Sequence, residues 1–213
     1  MLKISNAVLP SPDQWEAVTR GIRNPYDSHS KSDSSITIYI PSGRMEKFQL
    51  GQNDLSLMCR LAKAGDDHGK FLRMLPVLAD VDGPLYWWKQ IDQYKIGTTT
   101  DSESTMHTIM KKPFTKKDFS IDQEQLLIST VSYFNELRND YMDAEDPEEK
   151  EVIWRTLIQL LPSGFNQTRT WCGNYQVLRR IFHARKGHKL KEWEQFRVWI
   201  ASLPYAKELI VDA

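Results

Sequence analysis

Cysteine is scarce here: Cys59 and Cys172 are the only two in 213 residues. Thiols so far apart match no metal-ligand spacing, and their expected state is reduced, in or near the core. Histidine is thin as well. His183 and His188 are five residues apart, not the four that stack two ligands on one helical face, so no metal site is expected. Neither sign of charge is in excess. The 28 basic and 28 acidic side chains cancel, which removes any overall attraction to phosphate and argues against generic nucleic-acid binding. No apolar run approaches the roughly 20 residues needed to span a bilayer, so no membrane partner is expected. Met1 to Asn6 lack the long apolar stretch of a signal peptide, and the expected location is the cytoplasm. There is no G-x-G-x-x-G, no P-loop and no G-x-S-x-G, which leaves three large enzyme classes without support.

What is present is an ordinary globular composition, 40% hydrophobic and 26% charged. At this length the expectation is one domain, residues 1–213. Aromatics make up 11% of the chain, most of them expected in the core and a few free to stack on a planar ligand. A first strand is expected over 1–10. Ser11, Pro12 and Gln14 form a capping-box pattern that starts a helix with Trp15, Val18 and Ile22 inside. Residues 25–35 read as an exposed loop, and Ile36 to Ile40 alternate as a strand ending at Pro41. Leu55, Met58 and Leu61 mark a helix stopping at Gly65. Phe71 to Val81 reads as a strand, with Pro76 placing it at an edge or a bulge. Asp82-Gly83-Pro84 reads as a turn into a helix carrying Trp87, Trp88 and Ile91.

A long amphipathic helix is expected over Ile121 to Met142. An acidic connector follows, and Asp146 caps a helix that ends before Pro162. A strand over 167–173, a helix with Leu178, Ile181, Phe182 and Arg185 on one face, and a last helix with Trp193, Phe196 and Ile200 inside complete the chain. Strands and helices mix without βαβ alternation, so the class is α+β.

Two segments carry the densest polar chemistry. In the first, Gln90, Gln93 and Tyr94 fall at i, i+3 and i+4, which on a continuing helix puts them on one face with Lys95 one step on. Hydroxyls follow at Thr98, Thr99, Thr100, Ser102 and Ser104, suited to phosphate or carbonyl oxygens. The competing reading is a solvated helix face and loop. In the second, Arg169, Arg179, Arg180, Arg185 and Lys186 concentrate positive charge. Arg185 shares an inward stripe, so it needs a carboxylate, a ligand oxygen or a route to solvent. Glu192 and Glu194 are the alternatives to a ligand.

These segments resemble the flavin-dependent thymidylate synthases. That family's signature is Arg-His-Arg-x-x-Ser-x-Asn-x-x-Ser-x-Arg-Tyr, with a Gln three residues before the first Arg. Gln90 matches that Gln. Gln93-Tyr94-Lys95 stand at Arg-His-Arg, Thr98 at the first Ser and, with one extra loop residue, Ser104 at the second. Leu161-Pro162, Trp171, Asn174, Leu178 and Arg185 are similar in order to the family's C-terminal pattern. Asp67-His68-Gly69-Lys70-Phe71 is similar in place to a His-containing turn. The resemblance implies a central antiparallel sheet flanked by helices and a homotetramer with FAD where subunits meet. It also implies methylation of dUMP at C5 with methylenetetrahydrofolate (a folate) and NADPH. By position, Gln90 and Arg185 would act in catalysis, and Gln90, Ser104 and Arg185 would hold the nucleotide. Gln93, Tyr94, Lys95, Thr98 and Asn174 would face the flavin. The chain departs from the pattern where family arginines have become Gln93, Lys95, Met106 and Ile158, and Lys does not replace Arg's fork. Two further readings follow: the same fold binding a different pyrimidine nucleotide or cofactor, and a non-enzymatic member with a vestigial pocket.

Overall fold

A computed structural model describes residues 2–39 and 45–213. In chain order the strands are β1 (Lys3–Val8), β2 (Ser35–Tyr39), β3 (Met45–Gln49), β4 (Pro76–Pro84), β5 (Thr99–Ser102) and β6 (Asn166–Asn174). The helices are α1 (Pro12–Arg23), α2 (Gln52–Lys63), α3 (Leu85–Ile91), α4 (Thr105–Thr108), α5 (Glu124–Asp143), α6 (Pro147–Leu160), α7 (Tyr175–Ala184) and α8 (Lys191–Ala201). The central antiparallel sheet has the order β1-β4-β6-β5, and β2 pairs with β3 in a separate antiparallel ribbon, Ile36 opposite Phe48. This is the expected α+β class. Ile40 and Pro41, the expected end of β2, lie outside the described residues.

Several expectations are corrected. Phe71 does not begin a strand: Gly69–Met74 is a 3-10 helix, and β4 starts at Pro76. Pro76 does not mark an edge either, because β4 lies between β1 and β6. As first residue of the strand, Pro76 gives up its ladder donor where least is lost. Asp82-Gly83-Pro84 is not a turn but the end of β4, and the strand passes straight into α3 with Pro84 as its N-cap. Residues 25–35 contain two 3-10 turns, Asn24–Tyr26 and His29–Lys31, and Ser28 between them is buried.

Other local signals hold. Ser11 and Gln14 exchange capping bonds of 3.2 and 2.8 Å. Asp146 caps α6, its carboxylate accepting from the Glu148 N–H at 3.1 Å. Gly65 and Gly187 take φ of +104° and +69° where helices stop.

The chain folds into two compact units, each made of discontinuous stretches. The first comprises residues 1–4, 80–93 and 100–170; the second comprises 5–79, 94–99 and 171–213. In the first, Ile109, Met110, Phe114, Phe119, Leu127, Phe134 and Leu157 form the core. Rings of Phe114, Phe119 and Phe134 lie 5.4–5.9 Å apart, within the range of favourable aromatic packing. Ile158, where the family pattern has an arginine, is half-buried against this core. In the second unit Trp15 stacks on Phe48 at 6.0 Å and meets Tyr175 and Tyr205 edge-on. Cys59 and Cys172 are both free and half-buried, and burial pushes the Cys59 thiol up.

Candidate functional site

The helix that was to carry Gln90, Gln93 and Tyr94 stops early. α3 ends at Ile91, Asp92 is its C-cap, and Gln93 and Tyr94 lie beyond it. The shared helical face is therefore not formed. The backbone turns instead through Gly97, whose φ of +81° the other residues rarely adopt. Thr98 is held by its hydroxyl donating to the Tyr94 carbonyl. The expected hydroxyl loop is partly β5, a short exposed edge strand.

Gln90, Gln93 and Ser104 belong to the first unit. Gln90 is half-buried on α3, Gln93 is exposed, and Ser104 is the exposed N-cap of α4. Tyr94, Lys95, Thr98, Asn174 and Arg185 belong to the second, and there the structure brings two pairs together.

The first pair is Arg185 with Tyr94. Arg185 is the C-cap of α7, half-buried, and its Nε donates to the Tyr94 hydroxyl at 2.9 Å. Its guanidinium lies 4.5 Å from the centre of the fully buried Trp193 ring and 5.2 Å from that of Tyr94. A cation over two rings is stabilised by their quadrupoles without losing its terminal donors. His188 packs edge-on against Trp193 at 6.1 Å, and its Nδ1 accepts from the Leu190 N–H at 3.1 Å. Arg197, not Arg185, takes the Glu194 carboxylate.

The second pair is Asn174 with Gly97. Asn174 N-caps α7, its Oδ1 accepting from the Val177 N–H at 3.1 Å. Its Nδ2 lies so near Gly97 that a Cβ there would approach to 3.1 Å. These two residues line a cavity of about 180 Å³ with Asp66, Arg73, Ile96, Gln176, Val177 and Arg180. Lys95 is exposed beside it in sequence.

Arg73 also lines a larger cavity of about 530 Å³ on Ile22, Pro25, Tyr26, Leu61, His68, Lys70, Phe71 and Met74. The buried Gln176 carbonyl accepts from Arg73 Nε, which fixes the arginine between the two cavities. The sequence reading singled out the His68 turn but missed Arg73. The only signal was a cation two residues after the apolar Phe71; the 3-10 turn that brings it to the cavities shows in the structure alone.

In the first unit, a small cavity of about 110 Å³ is bordered by Asp82, Glu103, Asp118, Lys112 and Lys117. Burial raises the Asp82 pKa, the Lys3 ammonium opposes this, and Asp118 and Glu103 add to the rise. Asp92 meets both faces of one problem at Arg169: its carboxylate takes two bonds of 3.0 and 3.1 Å, while the guanidinium lies 4.4 Å from the Trp88 ring. That arginine is thus held within its unit through Nε, Nη1 and the face of its guanidinium. Among the described residues no cluster of His, Cys, Asp or Glu could hold a metal ion, and no helix is long and apolar enough to cross a membrane.

This fold, an antiparallel sheet in the order β1-β4-β6-β5 with helices starting directly after β4 and β6, is shared with solved flavin-dependent thymidylate synthases. Thymidylate synthase X (ThyX) from Helicobacter pylori, in its crystal structure with FAD and dUMP, superposes with a TM-score of 0.70, covering 100% of this chain and 98% of that one at 16% identity. A second structure of the Helicobacter pylori flavin-dependent thymidylate synthase ThyX, complexed with FAD and dUMP, gives 0.68 over 99% and 98% at 16% identity. No protein-family model and no curated protein matches the sequence.

Proposed function

We propose that this chain is a divergent flavin-dependent thymidylate synthase-like protein that binds FAD and a pyrimidine nucleotide. The observation that carries the reading is the full-length likeness to ThyX with FAD and dUMP, at 100% and 98% coverage. The local chemistry fits such ligands. Arg73 and Arg180 border the smaller cavity and can meet anionic oxygens. The larger cavity offers an apolar slot for a flat ring against Tyr26 and Phe71. The terminal nitrogens of Arg185, held in place through Nε and two rings, suit phosphate or the carbonyl edge of a pyrimidine. When bound, FAD supplies the hydride chemistry. The chain's own residues would position and polarise the nucleotide: Gln90, Ser104 and Arg185 as its ligands, with Gln93, Tyr94, Lys95, Thr98 and Asn174 toward the flavin.

The reaction proposed is methylation of dUMP at C5 with methylenetetrahydrofolate and NADPH, in a cytoplasmic homotetramer. With Gln93 and Lys95 where the family has arginines, flavin affinity is expected to be weak and sensitive to salt. A second reading, the same fold with a different pyrimidine nucleotide, is favoured by the changed pocket: Gln93, Lys95, Met106 and Ile158 stand where the family pattern has arginines. The test is the visible spectrum of the purified protein, followed by titration of FAD into wild type and Lys95→Ala at low and high salt. Salt-dependent binding weakened by the substitution is expected. Tight binding indifferent to both would sink the assignment of this segment. No flavin binding in any condition, with stabilisation by pyrimidine nucleotides, would move the assignment to the second reading.

A further inference from the structure

A third cavity in the second unit, about 560 Å³, is lined by Arg23, Ser28, Lys31, Arg60 and His68 above a floor that includes Leu57. Its lining holds three permanent cations and a histidine, and no carboxylate. In a chain with equal numbers of acids and bases, this is local segregation and not an average of the composition. We propose that this cavity is a binding site for a small polyanion, a molecule or molecular tail carrying two or more phosphate or carboxylate charges.

Three observations support the site independently of the flavin reading. Arg23 is only 5% exposed and is locked to Asp54, with Nε at 2.8 Å and Nη2 at 2.7 Å. Asp54 cancels that one charge, but among the described residues neither Lys31 nor Arg60 forms an ion pair. The lining therefore keeps two uncompensated positive charges. Ser28 is 9% exposed, and its hydroxyl makes no hydrogen bond among the described residues although it borders the cavity. A hydroxyl that faces the cavity beside unpaired cations can donate to an anion bound there.

The site is also held in shape before any ligand arrives. Asp54 accepts from Ser32 and Ser34 hydroxyls at 2.7 Å and from the Asp33 and Ser34 N–H groups at 3.1 Å. Those bonds fasten the segment bearing Ser28 and Lys31 to α2, which bears Arg60. Binding then loses little loop freedom. Tyr26, Leu61 and His68 line both this cavity and the apolar one beside it, but the cations Lys31 and Arg60 line this one alone.

The test is calorimetric and thermal-shift titration of the full chain with inorganic pyrophosphate and, separately, with citrate, at low and high salt. Comparison is with Lys31→Glu/Arg60→Glu, and with Lys31→Gln/Arg60→Gln should charge reversal prevent folding. At least one probe is expected to raise Tm in a salt-sensitive way, since it binds only the native state. Affinity should fall about tenfold or more in the double variant, as charge-assisted bonds are lost. Binding of pyrophosphate alone identifies a phosphorylated ligand, and binding of citrate a polycarboxylate. Failure of both probes, or affinity unchanged in the double variants, would overturn the site. FAD titration of the same variants should match wild type, which separates failure here from failure of the flavin reading.

Discussion

Asp54→Asn should be among the most damaging single-atom changes in the second unit. The Asp54 carboxylate is fully buried and accepts from Arg23 Nε, two serine hydroxyls and two backbone N–H groups. Asparagine keeps the shape but removes the charge opposite a guanidinium that is 5% exposed. It also turns a donor toward groups that are themselves donors. Breaking a buried pair from one side costs about 3–5 kcal/mol, because the remaining charge has nowhere to go. For a chain of this size that corresponds to a fall in Tm of about 6–20 °C, at about 2–4 °C per kcal/mol.

The pH dependence has a definite sign. Burial alone would raise the Asp54 pKa, but hydrogen bonds from Ser34, Ser32 and Arg23 more than offset it, and the folded value lies below that of an ordinary aspartate. The stabilisation is therefore complete above the unfolded pKa of about 3.9 and is lost as pH falls through the folded value. Asp82, with its raised pKa, works in the opposite direction over the acid range, but it is common to both proteins and drops out of their difference. The assay is urea unfolding of wild type and variant at neutral pH and across the acid range, with equal m-values as the check on two-state behaviour. A variant within about 1 kcal/mol of wild type at neutral pH would refute the reasoning, since a merely exposed pair is worth that much. So would a gap that does not narrow in acid.

Arg185→Ala is expected to abolish pyrimidine nucleotide binding while the protein stays folded, at a cost of about 1–2 kcal/mol from the two lost ring contacts; Arg185→Lys should not restore binding. If the alanine variant unfolds and wild type binds no nucleotide, the arginine is structural. Gly97→Ala, at φ +81° with a Cβ 3.1 Å from Asn174 Nδ2, should destabilise by about 1–3 kcal/mol in chemical denaturation, and an unchanged midpoint would show that the turn relaxes freely. Light scattering at micromolar concentration should give a homotetramer, and a monomer would count against both the assembly and a site shared between subunits.

How far the sequence could be read depended on the range of the forces involved. Ser11 with Gln14 and Asp146 with Pro147 announce helix starts because capping is settled within four residues, and both appear in the structure. The apolar stripes of Trp15, Val18 and Ile22, and of Trp193, Phe196 and Ile200, are buried as their periodicity requires. The reading of Pro76 as an edge marker failed because its place in the sheet is decided by β1 and β6, which lie far away in sequence. The Gln90–Gln93–Tyr94 face failed for a different reason: periodicity carries no information on where a helix stops unless a breaker is present, and here the break precedes Gly97. Arg185 facing inward was legible from its stripe. Its partners, Tyr94 and Trp193, were not, because they come from other elements.

β4 runs into α3, and β6 into α7, with no intervening loop residue. These two junctions behave as fixed couplings, in which strand register sets helix phase. One inserted residue at either seam would turn the helix by about 100° relative to its strand. At α3 that rotation would carry Trp88 to the exposed place of Lys89 and drive Gln90 into the buried place of Ile91; at α7 it would carry Leu178 outward and drive Arg180 into the buried place of Ile181. The link of residues 144–146 between α5 and α6 has no such gearing, and added length there costs only loop entropy, about 0.6 kcal/mol per doubling. Length variation in this fold should therefore collect in that hairpin, while the strand–helix seams keep their spacing even as the side chains around them change.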